Sequence, residues 1–266
     1  MLTQQQITDA ADRLYQAEKG REQIQALTMS FDMDMDDAYA IQKAWVDRRL
    51  KDGEKVIGYK IGLTSRTMQV AMNINTPDYG VLTDAMLFPS QSKLDAADYL
   101  DPRIESEFSF VMKKRLFGDD VSIEEVMDAT EYVQPALELI SARSRRVDPE
   151  TGYTRNVFDT IADNAANAGI ICGGEKVAPA DIDLKWAGAL LYLNDEIEDS
   201  GMGAAVMGHP AHGIRWVCKR FAPHGIALEP GQVILSGSFT RPVPVKAGDR
   251  VFADYGKLGS IDVDFV

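Results

Sequence analysis

Three glutamates stand in runs that are otherwise apolar. The stretch "PRIESEFSFV" carries Glu105 and Glu107, and "YVQPALELIS" carries Glu138. In a pleated strand, residues i and i+2 share a face and sit about 7 Å apart. Glu105 and Glu107 therefore form a column of like charge, while Ile104, Phe108 and Phe110 take the opposite face. An ionised carboxylate buried without a partner is so costly that it normally neutralises. Two readings follow. Either the glutamates face water on the outer side of an antiparallel sheet, or the three converge on a divalent cation. An all-oxygen donor set suits a hard ion such as Mg²⁺, with Mn²⁺ as a substitute, rather than zinc.

Two further residues could handle protons. Lys60 lies in "GYKIGLTS", between Gly58 and Gly62, an arrangement that suggests a bulge or a close backbone approach. A lysine desolvated there would have a lowered pKa and could bind a carboxylate or move a proton; a snorkelling surface lysine fits the same letters. Asp78 sits in the Pro-led turn "NTPDYG", where an aspartate commonly bonds its own backbone. Other candidates are weaker. The histidines, His209, His212 and His224, cluster near one late helix, and Ser238 in "SGSFTRP" has no nucleophile-elbow spacing. "GMGAAVMG" lacks the lysine of a phosphate loop. The basic run "ARSRR" reads as a solvated loop or an anion contact.

The elements that must position these groups follow from pattern. Two helices are expected in the first fifty residues, one ending near Gly20, the other running from the acidic "DMDMDD" to Gly53 with Ala38, Ile41 and Trp45 on one side. Beyond "KVIGYKIGLTS" the texture is short strands, expected at 56–64, 104–112, 133–140, 168–172, 187–194, 232–236, 250–254 and 260–265. Helices are expected at 122–129 and 210–221, the latter with Pro210 at its first turn. Strands without regular helix alternation argue against a doubly wound fold. The expectation is an α+β chain with a helical region over 1–54 and a mixed β-roll or sandwich over 55–266.

Composition narrows the function. With 41 acidic against 28 basic residues among 266, the formal charge is −13, which repels nucleic-acid phosphates. Two cysteines without a CxxC or Cys/His cluster argue against disulfides or structural zinc and fit a reducing cytoplasm. The polar start and the lack of a roughly 20-residue apolar run point to a cytoplasmic protein without a membrane span.

"GYKIGLTS", "PDYG", "PRIESEFSFV", "PALELI", "FDTIADNAANAG", "GAAVMGHPAHGIRWV" and "GSFTRPV", in this order over nearly the whole chain, resemble the hydratase/decarboxylase branch of the fumarylacetoacetate hydrolase superfamily. The resemblance implies the superfamily's mixed β-sandwich roll and homo-oligomers built from dimers. It implies Glu105, Glu107 and Glu138 as Mg²⁺ ligands, Lys60 and Asp78 as active-site groups, Glu198 in "NDEIEDSG" as an acid/base and Ser238 as a pocket residue. Within the branch, "DPETG…FDTIADNAANAG" is most similar to hydratases of the seven-carbon 2-oxohept-4-ene-1,7-dioate in homoprotocatechuate breakdown. Pentadienoate hydration and 4-oxalocrotonate decarboxylation are its neighbours, and a non-catalytic metal-binding partner subunit is the reading from another class. A basic side chain of "ARSRR", Arg143 or Arg145, is expected to pair with the distal carboxylate of such a substrate.

Overall fold

The computed structural model describes residues 1–71 and 74–266. Two helices come first, α1 (Gln4–Gly20) and α2 (Met35–Lys51). Each begins with a reciprocal capping box, Thr3 with Gln6 and Asp34 with Asp37, which satisfies backbone donors that the first turn leaves unpaired. The acidic run thus starts α2 as its composition predicts. After β1 (Val56–Gly62) come α3 (Arg66–Ala71), β2 (Asp78–Thr83), β3 (Leu87–Pro89), β4 (Ser92–Leu94) and β5 (Arg103–Met112). The chain continues through α4 (Ile123–Ala129), β6 (Thr130–Ile140), α5 (Val157–Ala162), β7 (Asn167–Cys172), β8 (Gly188–Leu193) and β9 (Glu196–Met202). It closes with α6 (Ala211–Phe221), β10 (Val233–Leu235), β11 (Val243–Pro244), β12 (Arg250–Asp254) and β13 (Ser260–Phe265).

The strands form two mixed sheets. The larger runs β2-β1-β10-β5-β6-β7-β3, with β11 also on β5; the smaller runs β4-β13-β12-β8-β9. Their facing sides share one core. Ile104, Phe108 and Phe110 of β5 and Val133, Leu137 and Leu139 of β6 join Val251, Ala253, Ile261 and Val263 from the smaller sheet and Ile214 and Val217 from α6. Because strand side chains alternate, that packing sends Glu105, Glu107 and Glu138 to the other face of the larger sheet. A second core joins Leu14, Ile41 and Trp45 of α1 and α2 to Val157, Ile161 and Ala162 of α5. The cavity described below is lined by residues from around the larger sheet's free face, including Thr160 of α5. No helix among the described residues is long and apolar enough to cross a membrane.

Elements that the sequence pattern did not suggest are short or marginal: β2, β3, β4, β9, β11, α3 and α5. Helix α5 is six residues long, too short to show a periodicity, and is fixed by Asn156, whose side chain accepts from the backbone of Phe158 and Asp159.

Candidate active site

Register decides what the glutamates do. Strands β5 and β6 pair antiparallel with Glu105 directly opposite Glu138, and Glu107 opposite Ala136. One carboxylate oxygen from each of the three lies within 4.8 Å of the others. Glu107 and Glu138 are each 1% exposed, so the solvent-facing reading fails. Glu107 and Glu138 are each oriented by a donor. The Gly237 amide donates to Glu107 Oε2 at 2.9 Å, and Asn167 Nδ2 donates to Glu138 Oε1 at 3.0 Å. Tyr255 holds the strand pair from behind, its hydroxyl donating to the carbonyl of Ala136 at 2.6 Å.

Lys60 reaches this cluster from β1, with Nζ 3.1 Å from Glu138 Oε1. Asp78 opens β2, opposite Gly62 in the ladder. Its Oδ1 is buried without a hydrogen-bond partner. Both glycines flanking Lys60 are explained. A Cβ on Gly58 would sit 1.8 Å from the Val233 carbonyl oxygen, and one on Gly62 would sit 2.3 Å from Asp78 Oδ1 and 3.1 Å from Lys60 Nζ. Gly62 keeps open the space that the lysine and the aspartate share.

The electrostatics are those of a site short of positive charge. Burial, reinforced by Glu138, pushes Glu105 up to about 8, and burial followed by Glu138 and Glu105 holds Glu107 well above the usual carboxylate range. Burial also raises Asp78, against the pull of Lys60. For Lys60, burial works to lower its pKa, but Glu138, Asp78, Glu105 and Glu107 together overcome it and the pKa is raised. This corrects the expectation of a depressed lysine: one cation among four carboxylates stays charged. Three glutamates converging through oxygen alone, with Lys60 on Glu138 as the cation in direct contact with them, fit a hard divalent cation.

A cavity of about 250 Å³ opens onto the cluster, lined among others by Lys60, Asp78, Glu105, Glu107, Arg146 and Arg155. Ser238 lines it as well, though its hydroxyl donates to the Thr240 carbonyl at 2.7 Å. Two expected residues are elsewhere. Glu198 lies on β9, paired with Arg241 at the surface and not among the cavity-lining residues; a glutamate on a strand of the smaller sheet does not share the face that holds the cluster. Arg143 is fully buried, with Nε on Asp163 Oδ1 at 2.5 Å, Nη1 on the Asn167 carbonyl at 2.9 Å and Nη2 on the Asp163 carbonyl at 2.6 Å. Each of its three nitrogens has an acceptor inside the protein, and the side chain is absent from the cavity wall, so it is not placed to meet a substrate. Arg145 is likewise absent from the cavity wall.

Sequence reasoning missed Asn167, Arg146 and Arg155. Asn167 follows three successive non-glycine residues in left-handed conformation, Asn164, Ala165 and Ala166, with φ of 52°, 52° and 55°. L-residues adopt that conformation at a cost of about 1–2 kcal/mol each. Asn164 holds the turn by bonding both backbone groups of Val81, accepting from the amide at 2.8 Å and donating to the carbonyl at 3.0 Å. No local letter pattern announces such a turn.

The model of the fumarylacetoacetate hydrolase C-terminal family matches residues 57–266. The chain belongs to this family. It is 49% identical over 257 residues to 2-oxo-hept-4-ene-1,7-dioate hydratase from Escherichia coli, covering 96% of each chain. It is 36% identical to 2-hydroxyhexa-2,4-dienoate hydratase from Comamonas testosteroni, covering 100% of this chain and 99% of that one. Among solved structures, 4-oxalocrotonate decarboxylase from Pseudomonas putida G7, complexed with magnesium and adipate, superposes with a TM-score of 0.94 at 32% identity, covering 100% of this chain and 99% of that one. The family's mixed α/β fold is therefore the fold of this chain.

Proposed function

We infer that the protein is a Mg²⁺-dependent hydratase that adds water to 2-oxohept-4-ene-1,7-dioate, giving 4-hydroxy-2-oxoheptane-1,7-dioate. The observation that carries this reading is the convergence of Glu105, Glu107 and Glu138 beside a cavity lined by Glu105, Glu107, Lys60 and Asp78. The 49% identity to a hydratase of this substrate, against 32% to the decarboxylase of known structure, favours water addition over loss of carbon dioxide.

Glu105, Glu107 and Glu138 would hold the ion. When bound, Mg²⁺ supplies Lewis-acid stabilisation of negative charge on a 2-oxo acid. The protein does the rest. Lys60, kept charged by its carboxylate neighbours, donates a hydrogen bond to negative charge developing at the C2 oxygen. Asp78, with one oxygen unpartnered, takes and returns protons along the chain. The proton count closes. The 2-hydroxy-2,4-diene form loses its enol proton and gains one at C5, which conjugates C3=C4 with the ketone; water then places its hydroxyl on C4 and a proton on C3. No covalent enzyme intermediate and no redox partner is required.

Ser238 is assigned to the pocket wall. The assembly we favour is a homo-oligomer built from dimers. Trp186, Ile197 and Met202, large apolar side chains left exposed beside and along strand β9 at the sheet edge, support it. A cytoplasmic location is supported by two free cysteines and no disulfide.

The test is conversion of the seven-carbon dienedioate followed by diene absorbance and product mass, with Mg²⁺ and then with EDTA. A metal-dependent gain of one water is expected. Loss of carbon dioxide would replace the hydratase with a decarboxylase.

A further inference from the structure

One wall of the cavity comes from a hairpin that carries two arginines. Val147 and Thr154 form an antiparallel bridge, and the Arg155 amide donates to the Arg146 carbonyl at 3.0 Å. The turn between them is built by Asp148, whose Oδ1 accepts from the amide of Thr151 at 2.9 Å. Arg146 and Arg155 therefore stand side by side, and both line the cavity that contains Lys60, Glu105 and Glu107.

Neither arginine has a carboxylate to itself at ion-pair distance, although Arg146 also acts on Glu105 and Arg155 on Asp78 through the cavity. Arg146 bonds Asp101 through Nε, but Asp101 is shared with Arg103 at 3.3 Å. The Nη2 of Arg146 is shut off from solvent and has no hydrogen-bond partner. Arg155 is 7% exposed; its Nη1 donates to the Ser144 carbonyl at 3.2 Å and lies 3.9 Å from Asp163, which is already clasped by Arg143. Nearby Asp159 spends its oxygens on Thr28 and on the α5 cap. Two adjacent guanidinium groups that line the cavity, each sharing its aspartate with another arginine, form a preformed seat for an anion.

We propose that Arg146 and Arg155 bind the distal carboxylate of the substrate and so set the preference for seven-carbon dicarboxylates over five-carbon monocarboxylates. This rests on the hydratase reading above. A monocarboxylate would leave the arginine donors without their anion inside the cavity, and an unpaired buried donor penalises the shorter substrate. The same arrangement explains why the fully buried Arg143 cannot serve, although it lies in the same basic run.

The experiment compares kcat/KM on the seven-carbon dienedioate and on 2-hydroxypenta-2,4-dienoate, with Mg²⁺, for the wild type, Arg146→Met and Arg146→Lys. Arg146→Met should lose about 50- to 100-fold on the dicarboxylate, mainly through KM, and at least tenfold less than that on the five-carbon acid. Arg146→Lys should recover part of the loss, because it restores charge without the planar fork. Equal losses on both substrates would place Arg146 on the shared 2-oxo acid end and overturn the proposal, as would no loss on either. A second measurement needs no variant. Calorimetric titration of the wild type with 2-oxopimelate and with 2-oxoheptanoate, which differ only in the distal carboxylate, should show the first binding at least tenfold more tightly; equal affinity would overturn the assignment. If the wild type hydrates neither dienoate, the hydratase reading fails, and this titration still decides the arginines.

Discussion

Two clusters of buried charge lie within this one chain, and they are built on opposite principles. Around Arg143, one guanidinium meets Asp163 and two backbone carbonyls, with Trp45 stacked against it at 4.9 Å. Each nitrogen there has an acceptor. Across the β5–β6 pair, four carboxylates face one lysine, and Asp78 keeps an oxygen with no partner. The first cluster is complete within the chain and ties the helical layer to the loop after β6. The second is incomplete without a cation and a substrate. A buried polar network that satisfies itself is structural, whereas one that leaves charge of a single sign unbalanced marks a place for something to bind.

The largest expected effect sharpens this contrast. Glu107→Gln should lower kcat/KM by about 10³-fold or more, because it removes an ion ligand from the reacting site. The same change should leave the metal-free protein as stable as the wild type or more so, because it deletes like charge from a crowded site. Thermal unfolding in EDTA, set beside steady-state kinetics in Mg²⁺, reads both. Arg143→Met should do the reverse, destabilising the fold by about 3–5 kcal/mol by stranding Asp163. Chemical denaturation measures it, and an unchanged midpoint would break the comparison.

Smaller effects probe the groups around the glutamates. Asn167→Ala, which removes the donor to Glu138 Oε1, should weaken Mg²⁺ affinity by about 10- to 100-fold. Titration with Mg²⁺ is the readout, and wild-type affinity would mean that the left-handed turn before Asn167 does not serve the site. Smallest of all, Glu198→Gln should change activity by less than about twofold and stability by less than about 1 kcal/mol, as befits a surface pair with Arg241. A large loss of activity would return Glu198 to the acid/base role that motif position had suggested.

How far the sequence reached depended on range. Every strand longer than six residues was visible except β9, whose polar "EIEDSGM" does not alternate. The Glu105–Glu107 column could be read because strand periodicity is local, and Lys60 because two glycines bracket it. That Glu138 lies opposite Glu105 depends on register between strands distant in sequence, which spacing alone does not specify; the family resemblance implied a shared ion, and the ladder shows the pairing. Arg143 and Arg146, three residues apart in one basic run, look alike as letters. Tertiary packing sends the first under Trp45 and the second to the cavity. The "DPETG" turn was the available signal, since a tight hairpin centred there would set Arg146 beside Arg155.

Glu105, Glu107 and Glu138 are incomplete without a divalent cation. Calorimetric titration of metal-stripped protein with Mg²⁺, for the wild type and for Glu138→Gln, tests this most directly. One ion per chain bound by the wild type and none by the variant is the result predicted. Equal binding by both, or none by either, would contradict it.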